Sequence, residues 1–357
     1  MAKRGERVRV ADLGEFGLIE LLRQGAPAFA GVRVSIGDDA AIVDAPAAGS
    51  LLLTCDMLYE GVHFRREWYT GRPADLGRKV LAVNISDIAA KAGRPLWCLV
   101  TLGIAADAEV AFLRGVYDGL YDLARQFGIS VVGGDTIRVP AGLLIDIALI
   151  GETTTPHVPL RSDAKPGDLI AVTGEFGLAR AGLAALEHVT EGQPRGQCAA
   201  WRELDHCGLA TARQAQLTPP VRLREAQAIG AVGPNAMSDT SDGLAAQIHH
   251  ICKASGVGAV IDADAIPVAA AVGPIAAAAG HAALDWALDG GEEYELIVTL
   301  PPERLAATQA AVSAVGNTIL TVVGVITPGD EVLLRRGRGQ AMPLRPRGFD
   351  HFAAKDR

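Results

Sequence analysis

The feature that most constrains this chain is one local pattern that keeps returning: a short apolar run ending in aspartate beside glycine, serine or threonine. It reads Ile36-Gly37-Asp38-Asp39, Leu53-Thr54-Cys55-Asp56, Val132-Gly133-Gly134-Asp135-Thr136 and Met237-Ser238-Asp239-Thr240-Ser241-Asp242-Gly243, with a helical counterpart at Asn84-Ile85-Ser86-Asp87. Taken singly, such an aspartate is a turn residue or a helix N-cap, and Asp242 could simply start the helix that follows it. Together they suit an α/β fold, in which the turns outside the carboxyl ends of strands aim side chains into a ligand crevice.

The rest of the chain agrees with that class. Strand-like runs at 32–36, 40–43 and 51–54 precede a helix over about 75–91, a strand at 96–102, a helix over 108–127 and strands at 129–132 and 143–150. A Pro- and charge-rich stretch at 156–166 then interrupts the pattern, which places a domain boundary near residue 155. The second half opens with a strand at 169–172 and a polar, irregular insert at 190–213. It continues with a helix at 223–229, strand 235–237, helix 244–255 and strand 257–261. An Ala-rich helical region, strand 294–300, helix 302–314 and strands at 319–325 and 332–335 complete it. No fixed-period repeat runs through the chain.

At 357 residues the chain is long enough for two cores, and 49% hydrophobic residues exclude a disordered polymer. Its 33 Lys+Arg against 41 Asp+Glu argue against a basic surface that tracks nucleic acid. Five scattered cysteines without a CxxC point to reduced thiols in a cytoplasm rather than to disulfides or structural zinc. In the insert, Cys198, His206 and Cys207 fit no common zinc spacing. The basic start lacks an apolar core for a signal peptide, and the most apolar later stretch, 268–280, is broken by Gly273-Pro274. No membrane segment is expected.

Several carboxylates gathered in one pocket repel by about 1 kcal/mol per close pair even at water-like dielectric. Hard cations relieve that, and Mg²⁺ is commonly held by a few carboxylates together with substrate phosphates. This combination points to a nucleotide, yet neither GxxxxGK[ST] nor the protein-kinase motif set occurs. Metal ions are expected in the role of the missing phosphate-binding lysine.

The segments GEFGLIELL (14–22), IGDDAAIV (36–43), TCDMLYEGVHF (54–64), NISDIAA (84–90), VVGGDT (131–136), KPGDLIAVTG (165–174), SDTSDGL (238–244), DGGEEYEL (289–296) and GFDHF (348–352) carry a resemblance. In this order they resemble the thiamine-monophosphate kinase family. It is a branch of the superfamily of aminoimidazole ribonucleotide synthase, selenophosphate synthetase and the hydrogenase maturation protein that dehydrates carbamoyl groups. The resemblance implies a two-domain PurM-like fold: an N-terminal mixed α/β domain (1–155) that binds ATP and metal and forms a dimer barrel, and a C-terminal α+β domain (156–357) that completes the active site. It also implies a cytoplasmic homodimer that uses ATP and several Mg²⁺ ions to phosphorylate thiamine monophosphate by direct in-line transfer, without a phospho-enzyme.

Residue by residue, the resemblance implies Asp39, Thr54, Cys55, Asp56, Asp87, Asp135, Asp239 and Asp242 as metal ligands, with Asp56, Asp87, Asp135 and Asp242 central to catalysis. Tyr117, Gly134, Asp135, Arg161 and Ser241 are implied to contact ATP, and His63, Glu292 and Phe349 the thiamine phosphate. Arg161 suits phosphate because its planar fork takes two oxygens, and Phe349 could offer a π face to a cationic ring. Two departures stand out. Cys55 replaces a common hydroxyl, and sulfur is a poor Mg²⁺ ligand. Lys91-Ala92-Gly93 replaces Met-Gly-Ala, a change expected to touch only packing. Alternative activities are an aminoimidazole ribonucleotide synthase-like ligase and a non-catalytic nucleotide-binding regulator.

Overall fold

The computed structural model describes residues 8–27, 29–34, 42–46, 49–190 and 198–345. The chain divides into two units, Met1–Ile88 with Gly93–Thr154, and Ala89–Ala92 with Thr155–Arg357.

The first unit begins with helix α1 (Val10–Arg23), which the strand-and-helix periodicity did not predict, then β1 (Val32–Val34), β2 (Ile42–Val43) and β3 (Leu51–Tyr59). There follow α2 (Pro73–Ala89), β4 (Arg94–Ile104), α3 (Val110–Phe127), β5 (Ser130–Arg138) and β6 (Leu143–Glu152). Strands β3, β6, β4 and β5 form one sheet in that order, antiparallel except for β4 beside β5, whose parallel pairing is bridged by α3. Proline at the first position starts α2, where its missing N–H costs nothing. Helix α3 buries Val110, Leu113, Val116, Tyr117, Leu120 and Ala124 along one stripe and ends at Gly128, whose φ of 70° only glycine adopts readily. The two helices touch backbone to backbone: a Cβ at Gly77 would lie 1.8 Å from the Val116 carbonyl oxygen, and one at Gly119 would lie 1.9 Å from that of Ala74.

The second unit contains β7 (Leu169–Thr173), α4 (Leu178–Thr190), α5 (Cys198–Arg202), α6 (His206–Leu217), α7 (Leu223–Val232), β8 (Ala236–Asp239), α8 (Leu244–Ser255) and β9 (Gly258–Asp262). It ends with α9 (Val272–Ala278), α10 (Ala283–Asp289), β10 (Leu296–Leu300), α11 (Leu305–Val315), β11 (Leu320–Thr327), β12 (Val332–Arg335) and β13 (Met342–Pro343). Its seven-stranded sheet runs β13-β12-β9-β11-β7-β10-β8, antiparallel except for β12 against β9. Ile170, Val172, Ile297 and Val323 of that sheet pack with Leu244, Ile248 and Ile251 of α8 in a dry core. A second cluster gathers Ala181, Ala185, Trp201, Leu209, Val272 and Trp286 from α4, α5, α6, α9 and α10.

The described part of the insert expected to be irregular, residues 198–213, is largely helical. Asp205 caps α6 by accepting the Gly208 N–H at 2.8 Å, and His188 stacks on Trp201 with ring centroids 4.2 Å apart. Its polar surface hid a helix that is buried on one side only.

Candidate active site

The alternation of β3 sorts its residues onto two faces. Leu52, Thr54, Asp56 and Leu58 turn towards α2, while Leu51, Leu53, Cys55, Met57 and Tyr59 turn away. On the covered face the Thr54 hydroxyl donates to the Asp87 carboxylate across to α2. Asp56 follows two residues later on that face. Because β3 is an edge strand, its outer backbone groups need partners, and Asn84 of α2 supplies both at Asp56: it accepts the N–H at 3.0 Å and donates to the carbonyl at 3.3 Å. Asp56 and Asp135, expected at strand ends, both lie inside strands that run longer than their apolar runs.

The other face, the more exposed one among the described residues, holds the other members. The Cys55 thiol donates to Asp146 Oδ1 at 3.2 Å, and partial burial and that carboxylate push it up to about 11. In the ladder Asp146 pairs with Thr101, and Thr101 with Asp135, so the two carboxylates stand in one row across three strands. Gly134 precedes Asp135 with φ of 155°, where a Cβ would sit 1.8 Å from the Val100 carbonyl oxygen. Only glycine allows β5 to lie that close and present Asp135 there. Tyr117 is buried edge-on to Tyr121, and burial raises its hydroxyl pKa. His63 Nδ1 accepts the Tyr59 N–H at 3.1 Å, which places the ring hydrogen of the neutral side chain on Nε2.

In the second unit two loops are sewn together. Asp239 ends β8 and is buried, while Asp242 follows in the turn before α8. Asp242 is not the helix cap; that position belongs to Gly243, with φ of 103° and no side-chain cap bond. The Glu292 N–H donates to the Ser241 carbonyl at 2.6 Å, and both Glu292 and Tyr294 hold left-handed backbone, with φ of 55° and 52°. A non-glycine residue held there stores strain that the surrounding bonds must offset. Gln216, buried on α6, donates to Glu292 Oε2 at 2.6 Å. Next to it, Glu293 is buried and accepts the N–H groups of Gly177 and Ala179 at the start of α4; burial pushes its carboxyl up to about 8. Arg222 grips Glu295 with two nitrogens at 2.6 and 2.7 Å.

Arg161 donates from Nε to Ser238 Oγ at 3.0 Å. Lys91 does more than pack: its ammonium donates to the carbonyls of Pro159 and Met237 at 3.2 and 3.3 Å. The apolar neighbours of an α2 C-terminus masked that role in the sequence. Asn84 and Gln216 were also missed as site residues. Asn84 stood in the quoted NISD segment, whereas Gln216 lay just beyond the insert read as irregular and carried no signal.

The structure thus joins Thr54 to Asp87 and Glu292 to Ser241, and sets Cys55 and Asp135 on the sheet face opposite Thr54 and Asp56. Asp39 and Phe349 lie outside the described residues. Among the described residues, no group of three or more His, Cys, Asp or Glu side chains is arranged to hold a metal by itself. The oxygen donors present still fit Mg²⁺, which takes few protein ligands and fills its sphere from water and phosphate. No helix among the described residues is long and apolar enough to cross a membrane.

Comparisons with known proteins bear on both units. The family "AIR synthase related protein, N-terminal domain" matches residues 37–153, and the corresponding C-terminal domain matches residues 165–335. The thiamine-monophosphate kinase of Escherichia coli K12 is 36% identical over 322 residues, spanning 90% of this chain and 93% of that protein. Its counterpart in Bacillus subtilis is 31% identical over 350 residues, 95% of this chain and 100% of that protein. Among solved structures, the thiamine-monophosphate kinase of Stenotrophomonas maltophilia K279a superposes with a TM-score of 0.76 at 32% identity, covering 90% of this chain and 96% of that one. AaThiL complexed with AMPPCP and TMP superposes at 0.69 with 31% identity, covering 94% and 98%. The hydrogenase maturation protein HypE of E. coli, at 20% identity and 0.71, shares the fold.

Proposed function

This chain belongs to the thiamine-monophosphate kinase family of AIR synthase related proteins, with their two-domain PurM-like fold, and from that premise we propose that it converts ATP and thiamine monophosphate into ADP and thiamine diphosphate. Agreement over nine-tenths of the chain with thiamine-monophosphate kinases, one relative being solved with AMPPCP and TMP, carries the conclusion. An oxygen of the acceptor phosphate attacks the γ-phosphorus in line as the bond to the β,γ-bridging oxygen breaks. The acceptor is already an oxyanion, so no strong general base is needed and positioning dominates.

Asp39, Thr54, Asp56, Asp87, Asp135, Asp239 and Asp242, with Cys55 through its backbone carbonyl, would hold several Mg²⁺ ions, whose chemistry there would be neutralisation of phosphate charge. The chain's own groups orient the reactants. The Thr54 hydroxyl holds the Asp87 carboxylate of α2, and the Asn84 clamp holds the Asp56 main chain of β3, before any ligand arrives. Gly134, Asp135, Tyr117, Arg161 and Ser241 take the nucleotide. The acceptor falls to His63, Glu292 and Phe349, with Glu292 facing the cationic thiazolium or the pyrimidine amine.

The N-terminal domain, to about residue 155, binds ATP and metal, and the C-terminal domain supplies the remaining contacts. The apolar sheet face supports a homodimer: among the described residues Leu51, Leu53, Met57, Tyr59, Leu99 and Ile137 are all exposed on it, Leu53 to 74%. The cytoplasm is the compartment that suits its reduced thiols and nucleotide substrate. Incubating the purified protein with Mg²⁺, ATP and thiamine monophosphate tests the activity. Thiamine diphosphate and ADP in equal amounts, lost with EDTA, are expected; ADP without thiamine diphosphate, or conversion of a formylamidine ribonucleotide instead, overturns it.

A further inference from the structure

We propose that Gln247 is a positioning residue for the nucleotide, holding Ser241 as a hydrogen-bond donor and Arg161 with its outer edge towards phosphate. The proposal rests on the assignment of Arg161 and Ser241 to ATP made above. Gln247 lies in the first turns of α8 and is 1% exposed. A buried primary amide must satisfy a carbonyl oxygen and an NH₂ group, and its neighbours decide which end faces which.

The orientation present matches its neighbours. Arg161 Nε can only donate, and it donates to Ser238 Oγ at 3.0 Å. The Ser238 hydroxyl hydrogen is then directed on to Gln247, whose Oε1 lies 3.3 Å away. That orientation turns Nε2 towards Ser241, where it donates to Oγ at 3.4 Å. Ser241 therefore receives a hydrogen bond on its oxygen and keeps its own hydrogen to donate. Polarity runs from a cation through Ser238 to the amide, and from the amide to Ser241. Both ends of the chain present donors, which is what a polyphosphate accepts. Arg161 spends only Nε on Ser238, so its two terminal nitrogens keep the fork that suits phosphate. The bonds at 3.3 and 3.4 Å are long, and the order they impose is directional more than tight.

Gln247→Glu keeps the size and reverses the logic. A carboxylate accepts from both serines, so Ser241 must turn its hydrogen inward. The test is the dissociation constant of AMPPCP with Mg²⁺, measured by calorimetry without acceptor, for wild type, Gln247→Glu, Gln247→Met, Ser241→Ala and Gln247→Glu/Ser241→Ala. Each single variant is expected to weaken AMPPCP at least fivefold, and the double variant to be within twofold of Ser241→Ala, because Gln247→Glu still accepts from Ser238, which keeps Arg161 in place, and so acts only through Ser241. In turnover, KM for ATP rises and KM for thiamine monophosphate stays within twofold. Gln247→Glu and Gln247→Met with wild-type affinity, or a double variant whose losses multiply, overturn the proposal while leaving the nucleotide contacts in place. If Ser241→Ala and Arg161→Ala leave AMPPCP affinity unchanged, the assignment of those contacts falls first and the proposal with it. A melting temperature within a few degrees of wild type accompanies each variant, and a Gln247→Met that fails to fold leaves the isosteric Glu variant to decide.

Discussion

Glu293 makes the stability of this protein depend on pH in a direction opposite to that of most carboxylates. Its side chain is buried, and although it accepts N–H groups from Gly177 at 2.7 Å and Ala179 at 3.1 Å, loss of water and the neighbouring Glu295 and Glu292 carboxylates raise it from 4.5 to about 8. Between those values the folded chain holds a proton that the unfolded chain has released. Stability is therefore fully present below about 4.5 and falls as pH rises towards 8. At roughly 1.4 kcal/mol per pH unit, the span amounts to an upper figure of about 5 kcal/mol. Glu293→Gln is neutral at every pH, and its amide oxygen can still accept from the start of α4. Urea unfolding of both proteins at pH 5, 6, 7 and 8 isolates the residue, since all other titrations are shared. The variant is expected to gain on the wild type by about 1 kcal/mol or more per pH unit over this range. Parallel curves would refute the claim that burial outweighs the two backbone bonds.

Other outcomes follow from single contacts. Gly134→Ala puts a methyl 1.8 Å from the Val100 carbonyl oxygen, so β5 must move, and a loss of roughly 3 kcal/mol or more is expected in denaturation. Asp87→Asn can still accept from Thr54 and should melt within a few degrees of wild type, yet turnover should fall at least a hundredfold because the lost charge served metal rather than packing. Cys55→Thr should shift the Mg²⁺ midpoint of activity by less than twofold, since the thiol is engaged by Asp146 and the contact proposed for this residue is its backbone carbonyl; a several-fold shift would make the side chain a ligand. Gln216→Met should raise KM for thiamine monophosphate severalfold and leave that for ATP unchanged, because the 2.6 Å bond it removes orients Glu292.

Much of the fold was legible because strand and helix leave their periods in the apolar pattern. The helix over Leu244–Ser255 and the strand over Val332–Arg335 were read with their observed limits. Strands β3 and β5 were cut short for a physical reason. Their second halves carry Asp56 and Asp135, and an edge strand with polar side chains on one face looks like a turn in one dimension. The insert failed similarly, since α6 buries only a narrow stripe of Leu209, Ala212, Gln216 and Leu217.

By itself, the amino-acid sequence determined the residue types available to the site and the family they belong to. GDD, GGDT and SDGL are local, and the conformational demands of glycine and the acceptor chemistry of aspartate are written at each position. It could not determine partners. That Asn84 clamps Asp56, that Lys91 reaches two carbonyls and that Gln247 joins Ser238 to Ser241 depend on side-chain directions set by packing between elements remote in the chain. Hydrogen bonds act over about 3 Å, and only the tertiary structure brings residues separated by dozens of positions within that distance.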